Sequence, residues 1–279
     1  MLVKGITHCF MEVSSHGIAQ HRVSGLYFSG GVFTNLTHDH LDYHGSFKNY
    51  RDIKKVFFDL LPPKAFALSN TDDKNGMYMM QNTKAKKIHY ALKRAADYQA
   101  KILEQQFSGM LLKINNQELW TSLVGNFNTY NLLAVFATTE QLGVDPLEAL
   151  KQLSKLKSQV GRFQIFQTKE EITIIIDYAH TPDALENVLK TINAIRTRNE
   201  MLLTIVGCGG NRDKKKRPIM GKISTTYSDK TIFTSDNPRN ESPALIIEEM
   251  SAGVSLEDQR KVLKIINRQE AITLSLIHI

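Results

Sequence analysis

Residues 34–55, TNLTHDHLDYHGSFKNYRDIKK, hold the densest group of side chains able to do chemistry in this chain. His38, His40, His44, Asp39 and Asp42 lie within seven positions, and Lys54 and Lys55 follow on a helix-like run. In an extended segment, positions 38, 40, 42 and 44 line one side. Imidazole nitrogens and carboxylate oxygens there suit a divalent cation, and the lysines suit phosphate. The same residues also suit a polar loop before a helix, with Asp and His capping backbone groups and Tyr43 packing.

Four further stretches carry groups of this kind. Glu12 ends the apolar run HCFMEV beside Ser14, Ser15 and His16, where a carboxylate can ligate Mg2+ or simply face water. GCGGNRDKKKR (207–217) joins a glycine turn to Arg212, which suits an anion, but lacks phosphate-loop spacing. DNPR (236–239) sets Arg239 after a rigid turn, where its planar guanidinium can take a carboxylate in bidentate fashion. DYAH (177–180) sets Asp177 and His180 at a strand end, to bind a ribose or base or to cap the next helix.

The elements that position these groups follow from the pattern. Strands are expected over 8–13, 25–36, 64–70 and 86–92, and a hairpin over 97–120. Ser46 is placed to cap a helix over 47–60, with Phe47, Tyr50, Ile53, Val56, Phe57 and Leu60 at helical spacing and Pro62 as its stop. Helices are expected over 125–143 and 145–156. From about residue 160 the chain repeats strand, polar loop, helix: Ile172–Ile176 before Thr181 and Pro182, then 201–213, then 231–253. That alternation predicts an α/β protein with a mostly parallel sheet, and a domain boundary between 160 and 161.

At 279 residues, with 42% hydrophobic and 23% charged residues, the chain has the composition of a globular protein of one large domain or two modest ones. A net charge of +7 suits an anionic partner. The Lys/Arg run at 212–217 lacks the interleaved aromatics of a nucleic-acid site, so no nucleic-acid partner is expected. Cys9 and Cys208 have no metal or redox spacing, which favours a reducing compartment. No apolar run approaches the roughly 18 residues of a membrane helix, and no leader pattern is present. A cytoplasmic protein without a membrane partner is expected.

Taken in order, EVSSH, TNLTHDHLDYHG with Tyr50 four residues before Lys54, GNFNTYN, GRF, DYAHTPDAL, GCGGNRDKKKRP and TSDNPR resemble the Mur ligases over residues 10–272. The resemblance implies a central ATP- and Mg2+-binding domain (1–160) and a Rossmann-like C-terminal domain (161–279) that binds the incoming amino acid. It implies peptidoglycan biosynthesis: ATP phosphorylates the terminal carboxylate of UDP-N-acetylmuramoyl-L-alanyl-D-glutamate, and an amine attacks the acyl phosphate. Glu12, His40 and a carbamylated Lys54 match the metal-binding residues, Lys54 having the catalytic part. Ser14, Gln20 and Arg22 match residues that hold the UDP-peptide. Asn128, Asn131, Arg162, Asp177 and His180 fall in stretches that contact ATP. Arg212, Asp236, Asn237, Pro238 and Arg239 match the amino-acid site. An arginine at 239 can pair with the second carboxylate of meso-diaminopimelate, which lysine lacks, so a diaminopimelate-adding ligase is expected and a monomer with it.

The family's N-terminal uridine-gripping domain and its Gly-rich Walker A loop precede the part that this sequence matches. LSLIHI (274–279) departs from a pattern that continues into Gly-Lys-Gly-His-Glu. A truncated, inactive ligase is therefore expected, with an exposed sheet edge or apolar face. The alternatives are a lysine-adding ligase of the same type and a non-catalytic nucleotide- or anion-binding module.

Overall fold

The computed structural model describes residues 5–37, 41–169 and 171–277. His38, Asp39 and His40 lie outside them. The chain divides into two compact units, one of residues 1–101, 114–117 and 130–151, the other of 102–113, 118–129 and 152–279.

The first unit begins with α1 (Ser15–Ala19), β1 (Gly30–Phe33), α2 (Leu41–His44) and α3 (Phe47–Asp59). Then come β2 (Phe66–Asn70), α4 (Gly76–Met79) and β3 (Lys86–Ala91). β1, β2 and β3 pair in parallel, Gly30 opposite Phe66 and Phe66 opposite Lys86. All five residues of β2 are buried, as expected of a central parallel strand covered on both faces. Ser46 caps α3 by accepting from Asn49 N–H at 3.2 Å. The apolar stripe of α3 delivers Tyr50 and Phe58 to a core with Phe33, Leu36, Ala67, Met79 and Met80.

β4 (Tyr98–Gln106), β5 (Gly109–Ile114) and β6 (Gln117–Thr121) extend the sheet in the order β1-β2-β3-β4-β5-β6. They are followed by α5 (Asn126–Gln141) and α6 (Pro146–Leu153). The expected hairpin is thus three strands joined by two short turns.

Two strand expectations are corrected. Residues 8–13 form no strand, and residues 8–12 stand exposed, with Phe10 73% accessible. Apolar residues in a row do not make a strand unless a neighbouring backbone pairs with them, and no described strand does so here. The strand expected over 25–36 contracts to β1, because only Gly30–Phe33 lies opposite β2.

In the second unit, β7 (Gln164–Gln167) and β8 (Thr173–Ile176) pair antiparallel, Gln164 opposite Ile176. The sequence pattern did not anticipate β7, a four-residue strand with no alternation. Then follow α7 (Pro182–Ile195), β9 (Leu203–Val206), α8 (Lys216–Tyr227), β10 (Lys230–Thr234), α9 (Pro243–Ser251), β11 (Val262–Ile265) and α10 (Arg268–Ile277). β11, β10 and β9 form a parallel sheet in that order. Thr181 caps α7 by accepting from Ala184 N–H, with Pro182 at the first helical position. Phe163, Leu185, Leu189, Val206, Met220, Phe233 and Met250 form the core. Gly221 of α8 touches the backbone of Met250 on α9, so a Cβ there would run into the Met250 carbonyl. Among the described residues, no helix is long and apolar enough to cross a membrane.

Candidate active site

In the first unit the SSHG turn and the DYHG stretch meet. Ser14 caps α1, its Oγ accepting from Gly17 N–H at 3.0 Å. Buried Ser15 hydrogen-bonds His44 Nε2 at 2.9 Å. Gln20 Nε2 donates to the Tyr43 hydroxyl at 3.3 Å, and the His16 ring lies 4.1 Å from that of Tyr43. His44 stacks on Tyr50 at 5.3 Å, and Lys54 Nζ sits 5.5 Å from the Tyr50 ring centroid. Ser15, His44, Tyr50 and Lys54 therefore form one continuous line of contacts. Glu12 and Arg22 are exposed, and His40 lies outside the described residues. Among the described residues no three metal-ligating groups converge.

The two adjacent lysines differ. Lys55 is buried and its Nζ lies 2.6 and 2.7 Å from the two oxygens of Asp59, one helical turn on. Lys54 is half-buried on the neighbouring face against Tyr50.

The loop after β2 was not picked out in the sequence. Asn70 Nδ2 donates to Thr34 O, and Asp73 accepts from Leu36 N–H at 2.9 Å. These bonds hold the backbone that leads into the histidine cluster. Asp72 accepts from the Tyr130 hydroxyl and from Leu92 and Lys93 N–H. Burial pushes the Asp72 carboxyl up, but these hydrogen bonds together hold it below its ordinary range. The only sequence signal for it was a polar turn at a strand end.

In the second unit, GRF and DYAH come together. Asp177 accepts from Phe163 N–H and from Ala179 N–H, each at 2.7 Å. The Arg162 guanidinium lies 4.7 Å over the Tyr178 ring, and the His180 ring lies 5.1 Å from that of Tyr178. Tyr178, half out in solvent, is the residue sequence reasoning passed over, since aromatic type alone does not separate an exposed ring from a core one. Asn128 turns its amide to Val124 O, and Asn131, one turn further along α5, is exposed.

The glycine loop after β9 and the DNPR loop after β10 are knitted together. Gly210 N–H donates to Asn237 O at 2.8 Å, and Arg239 Nη1 donates to Gly210 O at 2.6 Å. A Cβ at Gly209 would meet Arg239 Nη1 at 3.1 Å, with the Cγ of Arg212, part of its aliphatic stem, at 4.0 Å. A Cβ at Gly210 would collide with the Pro238 carbonyl, so only glycine allows this approach. Asp236 and Asn237 are exposed on the same loop, Asp236 lying 3.6 Å from Arg268. Beneath them Arg217 is fully buried and holds Glu241, whose carboxyl it draws down to about 2 with help from Asn211 N–H. Cys208, buried in the same loop, has its thiol pushed up to about 11 by burial.

Comparison with known proteins matches this arrangement to one family. The Mur ligase middle domain model matches residues 1–139, and the Mur ligase, glutamate ligase domain model matches residues 161–278. The UDP-N-acetylmuramoyl-L-alanyl-D-glutamate--2,6-diaminopimelate ligases of Cytophaga hutchinsonii and Phocaeicola vulgatus are 51% and 53% identical over 272 residues, covering 98% of this chain and 56% of theirs. The chain thus spans a little over half the length of these relatives. A solved structure of a ligase of that name superposes with TM-score 0.66 at 33% identity, over 99% of this chain and 58% of the other. With both domain models matched in order, and the GRF, DYAH, glycine and DNPR loops meeting as described, the chain belongs to the Mur ligase family.

Proposed function

We propose that this chain carries the ATP and amino-acid sites of a ligase that adds meso-diaminopimelate to UDP-N-acetylmuramoyl-L-alanyl-D-glutamate in the cytoplasm, with residues 1–160 and 161–279 as its two domains. The observation that carries the reading is the convergence of Arg212 and Arg239 on Gly209. The Arg239 guanidinium stands at the glycine turn and the stem of Arg212 borders the same turn, cations that suit a ligand with carboxylates to spare, and the five N–H donors of Arg239 leave several beyond the one given to Gly210 O. Lysine, with one carboxylate, gains less from such a pair.

Arg162, Asp177 and His180, with Asn128 and Asn131, take ATP in this reading. Asp177 spends both oxygens on backbone N–H groups, so its part is to hold the GRF turn against DYAH and so orient Arg162. Ser14, Gln20 and Arg22 face the UDP-peptide. The carboxylate of Glu12 is a hard oxygen donor of the kind Mg2+ takes. Lys54 suits that cation only as its carbamate, formed when the neutral amine adds CO2 and loses a proton. Mg2+, when bound, neutralises phosphate charge. The protein's own part is to hold the phosphorylated carboxylate and the attacking amine in reach of each other.

Calorimetry with meso-diaminopimelate and L-lysine tests the reading. Meso-diaminopimelate is expected to bind and L-lysine to bind at least tenfold more weakly, about 1.4 kcal/mol. Equal binding of the two would remove the specificity, and no binding of either would remove the amino-acid site.

A further inference from the structure

We propose that Arg217 is a positioning residue for the amino-acid site: its buried guanidinium holds Glu241, and Glu241 sets the two loops that carry Arg212 and Arg239. The inference rests on the assignment of those two arginines to the incoming amino acid.

Arg217 lies on α8 and is fully buried, although its type is almost always exposed. It grips Glu241 with two parallel hydrogen bonds, Nη1 to Oε2 at 2.9 Å and Nη2 to Oε1 at 3.0 Å. Nη2 also reaches Gly209 O at 3.2 Å, in the glycine loop itself. Glu241 Oε1 in turn accepts from Asn211 N–H at 2.5 Å. Asn211 Oδ1 accepts from Asn240 N–H at 3.2 Å. One buried fork therefore fixes the residue before Arg212 and the residues after Arg239.

Both loops need such fixing. Asn211 and Arg239 have φ of +51° and +48°, in the left-handed region that a residue with a Cβ seldom adopts. Strained backbone of this kind persists where the surroundings over-determine it. A buried ion pair is a poor source of stability against well-packed apolar residues, but a bidentate one fixes direction as well as distance. Glu249 serves as an internal control. It also contacts Arg217 Nη1, at 2.6 Å, but its link to the glycine loop is a 4.0 Å ion pair with the exposed Lys214, against the backbone amide of Asn211 that Glu241 takes.

The test uses the chain as it stands, with Glu241→Gln, Arg217→Lys and Glu249→Gln. Two readouts are taken: affinity for meso-diaminopimelate, and hydrogen exchange of the Asn211 amide without ligand. Glu241→Gln and Arg217→Lys are expected to lose affinity on the order of tenfold and to lose protection at Asn211. Glu249→Gln is expected to keep both. The proposal is overturned if Glu241→Gln binds as the unaltered chain does, or if Glu249→Gln loses as much. Should the unaltered chain bind no meso-diaminopimelate, the site assignment fails. The exchange arm then still decides the positioning role, which falls if Asn211 is protected equally in all variants. If Glu241→Gln does not fold, Glu241→Asp keeps the charge, draws it back from Asn211 and is read in the same way.

Discussion

The Tyr130 hydroxyl donates to Asp72 at 2.8 Å, joining the helix after β6 to the loop after β2. Asp72 is a carboxylate with a 5% exposed side chain, and it also takes the amides of Leu92 and Lys93. Burial raises the Tyr130 phenol well above its usual range, and the Asp72 charge raises it further, so it stays a donor. Tyr130→Phe is expected to cost about 1–3 kcal/mol, as for any hydrogen bond to a buried charge. Urea unfolding checks this: the midpoint should fall with an unchanged slope. An unaltered midpoint would mean that solvent replaces the phenol.

The pH dependence of the second unit should carry the mark of Glu241. Its carboxyl sits at about 2 when folded, against an ordinary 4.5, with Arg217 the largest cause. The folded form therefore holds fewer protons than the unfolded form between those values. Its contribution is fully present above about pH 4.5 and is lost as pH falls toward 2. Thermal melts from pH 6 to pH 2.5 should show a steeper loss in the unaltered chain than in Glu241→Gln. Parallel curves would contradict this.

Helix packing supplies a prediction whose sign departs from propensity. Alanine favours an exposed helix interior over glycine by about 1 kcal/mol. At Gly221 the added Cβ meets the Met250 carbonyl, and overpacking of this kind costs about 1–3 kcal/mol. Gly221→Ala should lower the melting temperature. A stabilised variant would show that α8 and α9 can move apart freely.

Lys54 and Lys55 should part company with isotopically labelled bicarbonate. Carbamylation needs an amine free to add CO2, and Lys55 Nζ is engaged by both oxygens of Asp59. A carbamate carbon signal is expected in the unaltered chain and in Lys55→Arg, and should vanish in Lys54→Arg. A signal that survives in Lys54→Arg would place the modification elsewhere.

Local patterns in the sequence carried much of this protein. Ser46 and Thr181 read as caps and act as caps, because a cap depends on residues three apart. The strand–loop–helix rhythm after residue 160 read as α/β, since helix and strand periods differ. The order of the motifs was enough to name the family. Tertiary structure decided what depends on partners distant in sequence. HCFMEV had the composition of a strand but found no described backbone to pair with. Arg217 looked like the end of a solvated basic run, yet it is buried on α8 and donates to Gly209 O in the loop that carries Arg212. Which of a row of cations is buried depends on where carboxylates 24 and 32 residues away are brought by folding. No local pattern encodes that distance.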